Sequence, residues 1–184
     1  MTKYYDKFYQ TPDIFGEAYP ELLAFFQGRP QKGRVLDLGC GQGRNALALA
    51  RLGFPAVGMD SSSVGIEQMV AVAEREGLPL TGVVGDIHGA LDLSEYEYVL
   101  LDNMFHFEKE DLEKEKGFLR GIIEQIGAGS MVVVCLPDSP NKVGPLQEVI
   151  SQTPNCGIAE ENRFEFTFPQ IGTGPYYMVV IEKS

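Results

Sequence analysis

The residues best placed to do chemistry form one stretch, Asp37-Leu38-Gly39-Cys40-Gly41-Gln42-Gly43, an acid two positions ahead of glycines at every second residue. Without a Cβ, each glycine lets backbone N–H groups approach a ligand closely. Spacing narrows the ligand. A P-loop needs GxxxxGK[ST], and no Gly-Lys pair occurs here. Counted from Gly41 and Gly43, Ala46 completes the GxGxxA pattern of a dinucleotide site, so the glycines alone leave a nicotinamide or flavin open. Asp37 weighs against it, because an acid there repels a diphosphate and attracts an ammonium. Asp60 follows Gly43 at about the separation at which a ribose-binding acid follows its glycines. Its carboxylate can accept from both ribose hydroxyls, each charged hydrogen bond contributing roughly 1.5–3 kcal/mol. His88 and His106 have no metal-ligand spacing around them, so no metal site is expected; His106 is the one near-neutral base in a loop after a predicted strand.

Following a hydrophobic strand, Asp37-x-Gly39-x-Gly41-x-Gly43 resembles the first motif of the class I S-adenosylmethionine-dependent methyltransferases. The resemblance implies S-adenosylmethionine as cofactor, S-adenosylhomocysteine as product and a small-molecule methyl acceptor. Cofactor contacts would come from Asp37, Gly39, Cys40, Gly41, Gly43, Arg44 and Asn45 at the first motif, and from Asp60, Ser61 and Ser62 after the second strand. Asp86 would lie near the adenine amino group, with Ile87 against the ring, and Asn103 and Met104 would face the cofactor from the fourth strand's loop. Tyr9, Phe105 and His106 would face the acceptor, His106 serving as base only for an amine or hydroxyl. The run ARLGFPAVGMDSSS is similar to the tellurite-resistance and thiopurine-type small-molecule methyltransferases. Two other readings stay open: an NAD-type oxidoreductase, and a non-catalytic domain that binds S-adenosylmethionine.

Placing these residues takes an α/β chain. Apolar runs at 35–38, 56–59, 80–84, 98–102 and 131–135 read as buried strands, each followed by turn residues. A buried helix face at Ala46, Leu47, Leu49 and Ala50, and helical periodicity from Ser61–Ser63 to Glu76, over 108–125 and over 144–152, separate or follow them, with Asp138 to Asn141 read as a turn. Runs at 163–168 and 176–181 read as a closing hairpin. The expected fold is a doubly wound, Rossmann-like, seven-stranded sheet, mostly parallel with a C-terminal antiparallel hairpin and helices on both faces. Residues 1–184 are expected to form a single domain, 34–184 its core, and 1–30 an N-terminal cap and helix over the carboxyl ends of the strands. Tyr4, Tyr5, Phe8, Tyr9 and Phe15 give that cap its aromatic character, and its helix is expected over 18–27.

With 26 acids against 15 lysines and arginines, the formal net charge is −11, which opposes a nucleic acid partner. Three cysteines without a CxxC suit a reducing compartment, and neither a leader nor an 18-residue apolar run is present, so a cytoplasmic protein without a membrane anchor is expected. Oligomeric state is not legible.

Overall fold

The computed structural model of the protein describes residues 6, 7, 9–11, 13–89, 91–169 and 171–184; Tyr4, Tyr5, Phe8 and Pro12 lie outside the described residues. Seven strands, β1 (Val35–Leu38), β2 (Ala56–Asp60), β3 (Leu80–Val84), β4 (Tyr98–Asp102), β5 (Met131–Pro137), β6 (Cys156–Phe168) and β7 (Gly172–Lys183), form a sheet in the order β3-β2-β1-β4-β5-β7-β6. β1, β2 and β3 run parallel, β4 and β5 run parallel, and β7 is antiparallel to β5. This is the mixed Rossmann-like sheet expected from the sequence. Helices α1 (Pro20–Gln27), α2 (Arg44–Arg51), α3 (Ser63–Glu76), α4 (Leu112–Gln125) and α5 (Pro140–Gln152) accompany it among the described residues. The chain divides into two compact units, one reaching to Gly89 and including Thr167–Thr173, the other comprising Ala90–Phe166 and Gly174–Ser184.

In the first unit every residue of β1 is buried, as expected of a strand covered on both faces. β3 is an edge strand, with Val83 and Val84 exposed. Asp37, Gly58 and Gly82 lie level with one another across β1, β2 and β3. The two glycines let α3 settle close on the strands. A Cβ at Gly58 would stand 2.6 Å from Met69 Cε, and one at Gly82 would stand 2.7 Å from Cγ2 of both Ile66 and Val70. Ile66, Met69 and Ala73 recur at helical spacing on the buried side of α3, joining Cys40, Ala46 and Leu47 in one apolar cluster. Ser62 caps the start of α3 and the left-handed Gly77 ends it, so the boundaries follow the sequence. α1 opens with Pro20 at its first turn rather than at Ala18 and buries Leu22, Phe25 and Phe26.

In the second unit β4 and β5 are almost wholly buried. Three local expectations are corrected. α4 begins at Leu112 rather than Glu108, because Glu115 reaches back to accept the amides of His106 and Phe107, and the chain ahead of it stays in turns. Asp138 to Asn141 is not a turn: Ser139 precedes α5 and Pro140 starts it. An interior proline costs about 3 kcal/mol, yet α5 continues through Pro145. Val143, Leu146, Val149 and Ile150 are buried along it, each contributing about 1.5–3 kcal/mol. The hairpin strands β6 and β7 run to 13 and 12 residues, longer than their apolar runs, because β6 is an edge strand that alternates half-buried and exposed residues.

Candidate functional site

The bend after β1 holds Gly39, Gly41 and Gly43 at φ of +72°, +55° and +82°, a region that side chains strain to enter. Its amides are taken up inside the protein. Gly39 and Cys40 donate to the Met59 carbonyl at 2.8 and 3.1 Å, and Gly43 donates to the Cys40 carbonyl at 2.8 Å. Gly41 donates to Asp60 Oδ2 at 2.9 Å. The expectation of amides aimed at a ligand is therefore corrected for these four residues. What the glycines provide is close approach to the Cα faces of the bend.

Asp37 is 2% exposed, and its Oδ2 accepts from the amide of Ala46 at 3.1 Å. Ala46 lies in the first turn of α2, where main-chain donors lack helical partners and negative charge is favoured. The acid thus secures the helix start. Asp60, also buried, joins the bend to α3: Oδ2 accepts from Gly41, and Oδ1 accepts from Ser62 at 2.8 Å. Each carboxylate oxygen has a second lone pair, so Asp60 keeps acceptor capacity for hydroxyls. Ser62 is fully buried; its Oγ accepts from Gly65 at 3.2 Å and donates to Asp6. Ser61 is exposed.

Cys40 turns its side chain into the apolar cluster, where a Cβ at Gly58 would be 2.9 Å from Sγ. Its expected cofactor contact is thereby confined to main chain. Burial, and then the charges of Asp37 and Asp60, push its thiol pKa well above the usual value. Asn45 is buried in α2. Arg44 stacks its guanidinium over Tyr19 and Phe168, 4.4 and 5.1 Å from the ring centroids, and reaches the Phe15 carbonyl at 3.4 Å. Its side chain therefore anchors the N-terminal stretch rather than aiming at a ligand.

Tyr9 is 4% exposed and lies against the bend: a Cβ at Gly41 would stand 2.7 Å from its hydroxyl. A Cβ at Gly65 would stand 2.6 Å from the Gly41 carbonyl and 3.2 Å from Tyr9 Cε2. Gln42, in the middle of the bend, accepts from Ile14 N at 3.1 Å and donates to the Thr11 carbonyl at 2.9 Å. Its Nε2 also donates to Gln68 Oε1 at 2.7 Å, and Gln68 Nε2 donates to the Tyr9 carbonyl at 2.7 Å. Sequence reasoning missed Gln42, Gln68 and Asp6. The available signal was the lone amide side chain among the glycines.

Asp86 is exposed beyond β3 and turns Oδ1 onto the amide of His88 at 3.0 Å, with Ile87 half-buried beside it. In the second unit Asn103 has a left-handed backbone, φ +53°, and accepts from the Tyr176 hydroxyl at 3.3 Å. Met104 next to it is half-buried. Phe105 is 1% exposed, stacked on Phe107 with centroids 5.3 Å apart and 6.2 Å from Phe118. Its expected place facing an acceptor is corrected: it is core. His106 is exposed, its amide held by Glu115 at 3.1 Å. Among the described residues no group of three or more His, Cys, Asp or Glu could hold a metal ion, and no helix is long and apolar enough to cross a membrane.

Residues 35–120 match a protein family described as a methyltransferase domain. The chain is 28% identical over 156 residues to 2-heptyl-1-hydroxyquinolin-4(1H)-one methyltransferase of Mycobacteroides abscessus, covering 77% of this chain and 67% of that one. It is 33% identical over 104 residues to the probable S-adenosyl-L-methionine-dependent methyltransferase TehB of Haemophilus influenzae, covering 56% of this chain and 35% of the relative. The chain thus spans two thirds of the first relative and about a third of the second. A solved structure described under the conversion of a disulfide bond into a thioacetal group during echinomycin biosynthesis shares the fold, with a TM-score of 0.80 at 19% identity, covering 100% of this chain and 92% of that one. By its glycine bend, the acid closing β2 and the antiparallel final strand, and by these matches, the chain is similar to the class I S-adenosylmethionine-dependent methyltransferases.

Proposed function

We propose that the protein transfers the methyl group of S-adenosylmethionine to a small-molecule nucleophile, releasing S-adenosylhomocysteine. The observation that carries the donor assignment is Asp37, buried at β1 with its carboxylate accepting the Ala46 amide in the first turn of α2. In a dinucleotide site the diphosphate occupies that helix start. Here a carboxylate of the protein holds it, and the amides of Gly39, Cys40, Gly41 and Gly43 already have acceptors. Two buried carboxylates, Asp37 and Asp60, instead favour a ligand carrying positive charge, as an ammonium and a sulfonium do. The residues present fit the donor.

When bound, the donor supplies a methyl group already activated by its sulfonium. The work of the chain is to hold and align. The resemblance assigns Gly39 and Gly41 to the amino-acid portion, and the spare lone pairs of Asp60 accept the ribose hydroxyls, with Ser61 and Ser62 beside it. Asp86 and Ile87 take the adenine, and the resemblance assigns Asn103 and Met104 to the donor as well. Tyr9 lines the acceptor side. Orientation of this sort lowers a barrier by roughly 7–11 kcal/mol, enough for an acceptor that arrives ionised. His106, exposed and held through its amide, is not required as base for such an acceptor. A cytoplasmic, single-domain enzyme acting on no nucleic acid completes the reading, in keeping with the net charge of −11.

Calorimetry with S-adenosylmethionine, S-adenosylhomocysteine and NADH tests the donor; binding of the first two and silence with NADH is expected. NADH binding without either sulfur compound would overturn the assignment. A screen for S-adenosylhomocysteine release with a hydroxyquinolone, thiophenols and tellurite then separates an enzyme from a domain that only binds the donor.

A further inference from the structure

Gln42 has no part in the assigned chemistry, yet its carboxamide makes more contacts to the N-terminal stretch than any ionisable group of the bend. Its Oε1 accepts from Ile14 N, and its Nε2 faces the Thr11 carbonyl at 2.9 Å and the Tyr9 carbonyl at 3.4 Å. Gln68 of α3 meets it from the other side: Oε1 accepts from Gln42, and Nε2 donates to the Tyr9 carbonyl at 2.7 Å. Both side chains are half-buried, so both work partly out of solvent. The ring of the Tyr9 whose carbonyl they hold sits on Gly41, leaving no room for a Cβ there, and borders Gly65, whose Cβ space the Gly41 carbonyl fills. Asp6 adds a second tie through Ser62, the cap of α3 and a neighbour of Asp60.

We infer that Gln42 and Gln68 are positioning residues for methyl transfer: they fasten Tyr9, Thr11 and Ile14 to the donor-binding bend, so that donor binding and the placing of Tyr9 are one coupled event. This rests on the donor assignment made above. The physical basis is that the amide clasp springs from the bend itself, at the residue between Gly41 and Gly43. A ligand that fixes the bend fixes the origin of the clasp, and by linkage a clasp that holds the bend favours the ligand. Two glutamines suit the task because each carries a donor and an acceptor, so one pair satisfies main-chain N–H and C=O groups together. A carboxylate in either place would face carbonyls with nothing to donate.

The test compares Gln42→Met, Gln68→Met and the double variant with the parent. Methionine keeps the length and most of the volume and loses the hydrogen bonds. Hydrogen exchange at the Ile14 amide reads the clasp directly, since Gln42 Oε1 is its acceptor. S-Adenosylhomocysteine is expected to slow that exchange in the parent and to lose this effect in Gln42→Met. Donor affinity should fall about three- to tenfold in each single variant, with kcat falling more than the acceptor KM rises. The double variant should lose less than the product of the single losses, because the two amides bond each other. Faster Ile14 exchange with unchanged donor affinity and kcat would reduce the clasp to edge packing and overturn the inference. If the parent itself binds no S-adenosylhomocysteine, the donor assignment fails instead, and the two failures are told apart by the parent alone.

Discussion

Asp60→Asn separates two roles that a carboxylate at the end of β2 can have. In the structure each oxygen accepts a main-chain N–H, Gly41 at 2.9 Å and Ser62 at 2.8 Å. Asparagine retains one acceptor and presents its NH2 to the other amide, so donor faces donor in a buried place. The loss is one charged hydrogen bond, about 1.5–3 kcal/mol. In a chain of this size each kcal/mol lowers the melting temperature by about 2–4 °C, so the unliganded variant should melt about 3–12 °C lower. Asp60→Ala removes both acceptors and should fall further. It should also weaken donor binding at least about tenfold, since a single charged bond to the ribose exceeds the 1.4 kcal/mol that a factor of ten requires. Differential scanning fluorimetry without ligand and calorimetry with S-adenosylhomocysteine give the two readings. Affinity lost with the unliganded melting temperature unchanged would refute the claim that Asp60 ties the bend to α3.

Gly41→Val combines strain with collision: a β-branched residue at φ +55° whose Cβ starts 2.7 Å from the Tyr9 hydroxyl should abolish donor binding in calorimetry while far-UV circular dichroism stays that of a folded domain. Tyr177 is buried against β5 and bonds Glu161, and burial above all pushes its pKa up to about 12. Since the folded state favours the protonated phenol, that share of stability is whole below about pH 10 and lost between about 10 and 12, and Tyr177→Phe should flatten the loss in alkaline urea titrations. His106→Ala should cost less than about threefold in kcat with a thiol acceptor, far short of the roughly 10²–10⁴ of a general base; total loss would contradict transfer by alignment alone.

Short buried strands were legible because their apolar runs are bounded by glycine, proline and acids. Residues 35–38, 80–84 and 98–102 fold as strands with the bounds read from sequence. Edge strand β6 was read too short, since Glu160, Glu161 and Asn162 look like a loop until β7 lies alongside them. Pro140 misled in the same way: a proline after an acid and a serine signals a turn as readily as a helix start. At the site, residue type found Asp37 and Asp60 but not what they bind. Both spend acceptor capacity on main-chain amides, and nothing in one-dimensional spacing says so. Phe105 and Gln42 failed in opposite directions. An aromatic after a strand looks like a pocket wall and proved to be core, whereas an uncharged amide among glycines looked inert and holds the N-terminal stretch.

The two carboxylates have one more consequence. Cys40 lies within the bend, and a thiolate beside an activated methyl group would itself be an acceptor, because the thiolate is the nucleophilic form. Burial first, then Asp37, then Asp60 hold the thiol protonated by raising its pKa well above the ordinary value, and packing beside Met69 and Gly58 keeps Sγ in the apolar cluster. Negative charge at the bend thus favours a cationic donor and at the same time silences the nucleophile nearest to it. The expected outcome is that iodoacetamide at about pH 8 leaves Cys40 unmodified in the folded protein and alkylates it once urea exposes it, read by peptide mass spectrometry. Equal rates in the folded and unfolded chain would mean that the thiol is neither shielded nor held protonated, and the electrostatic account of the bend would fall with it.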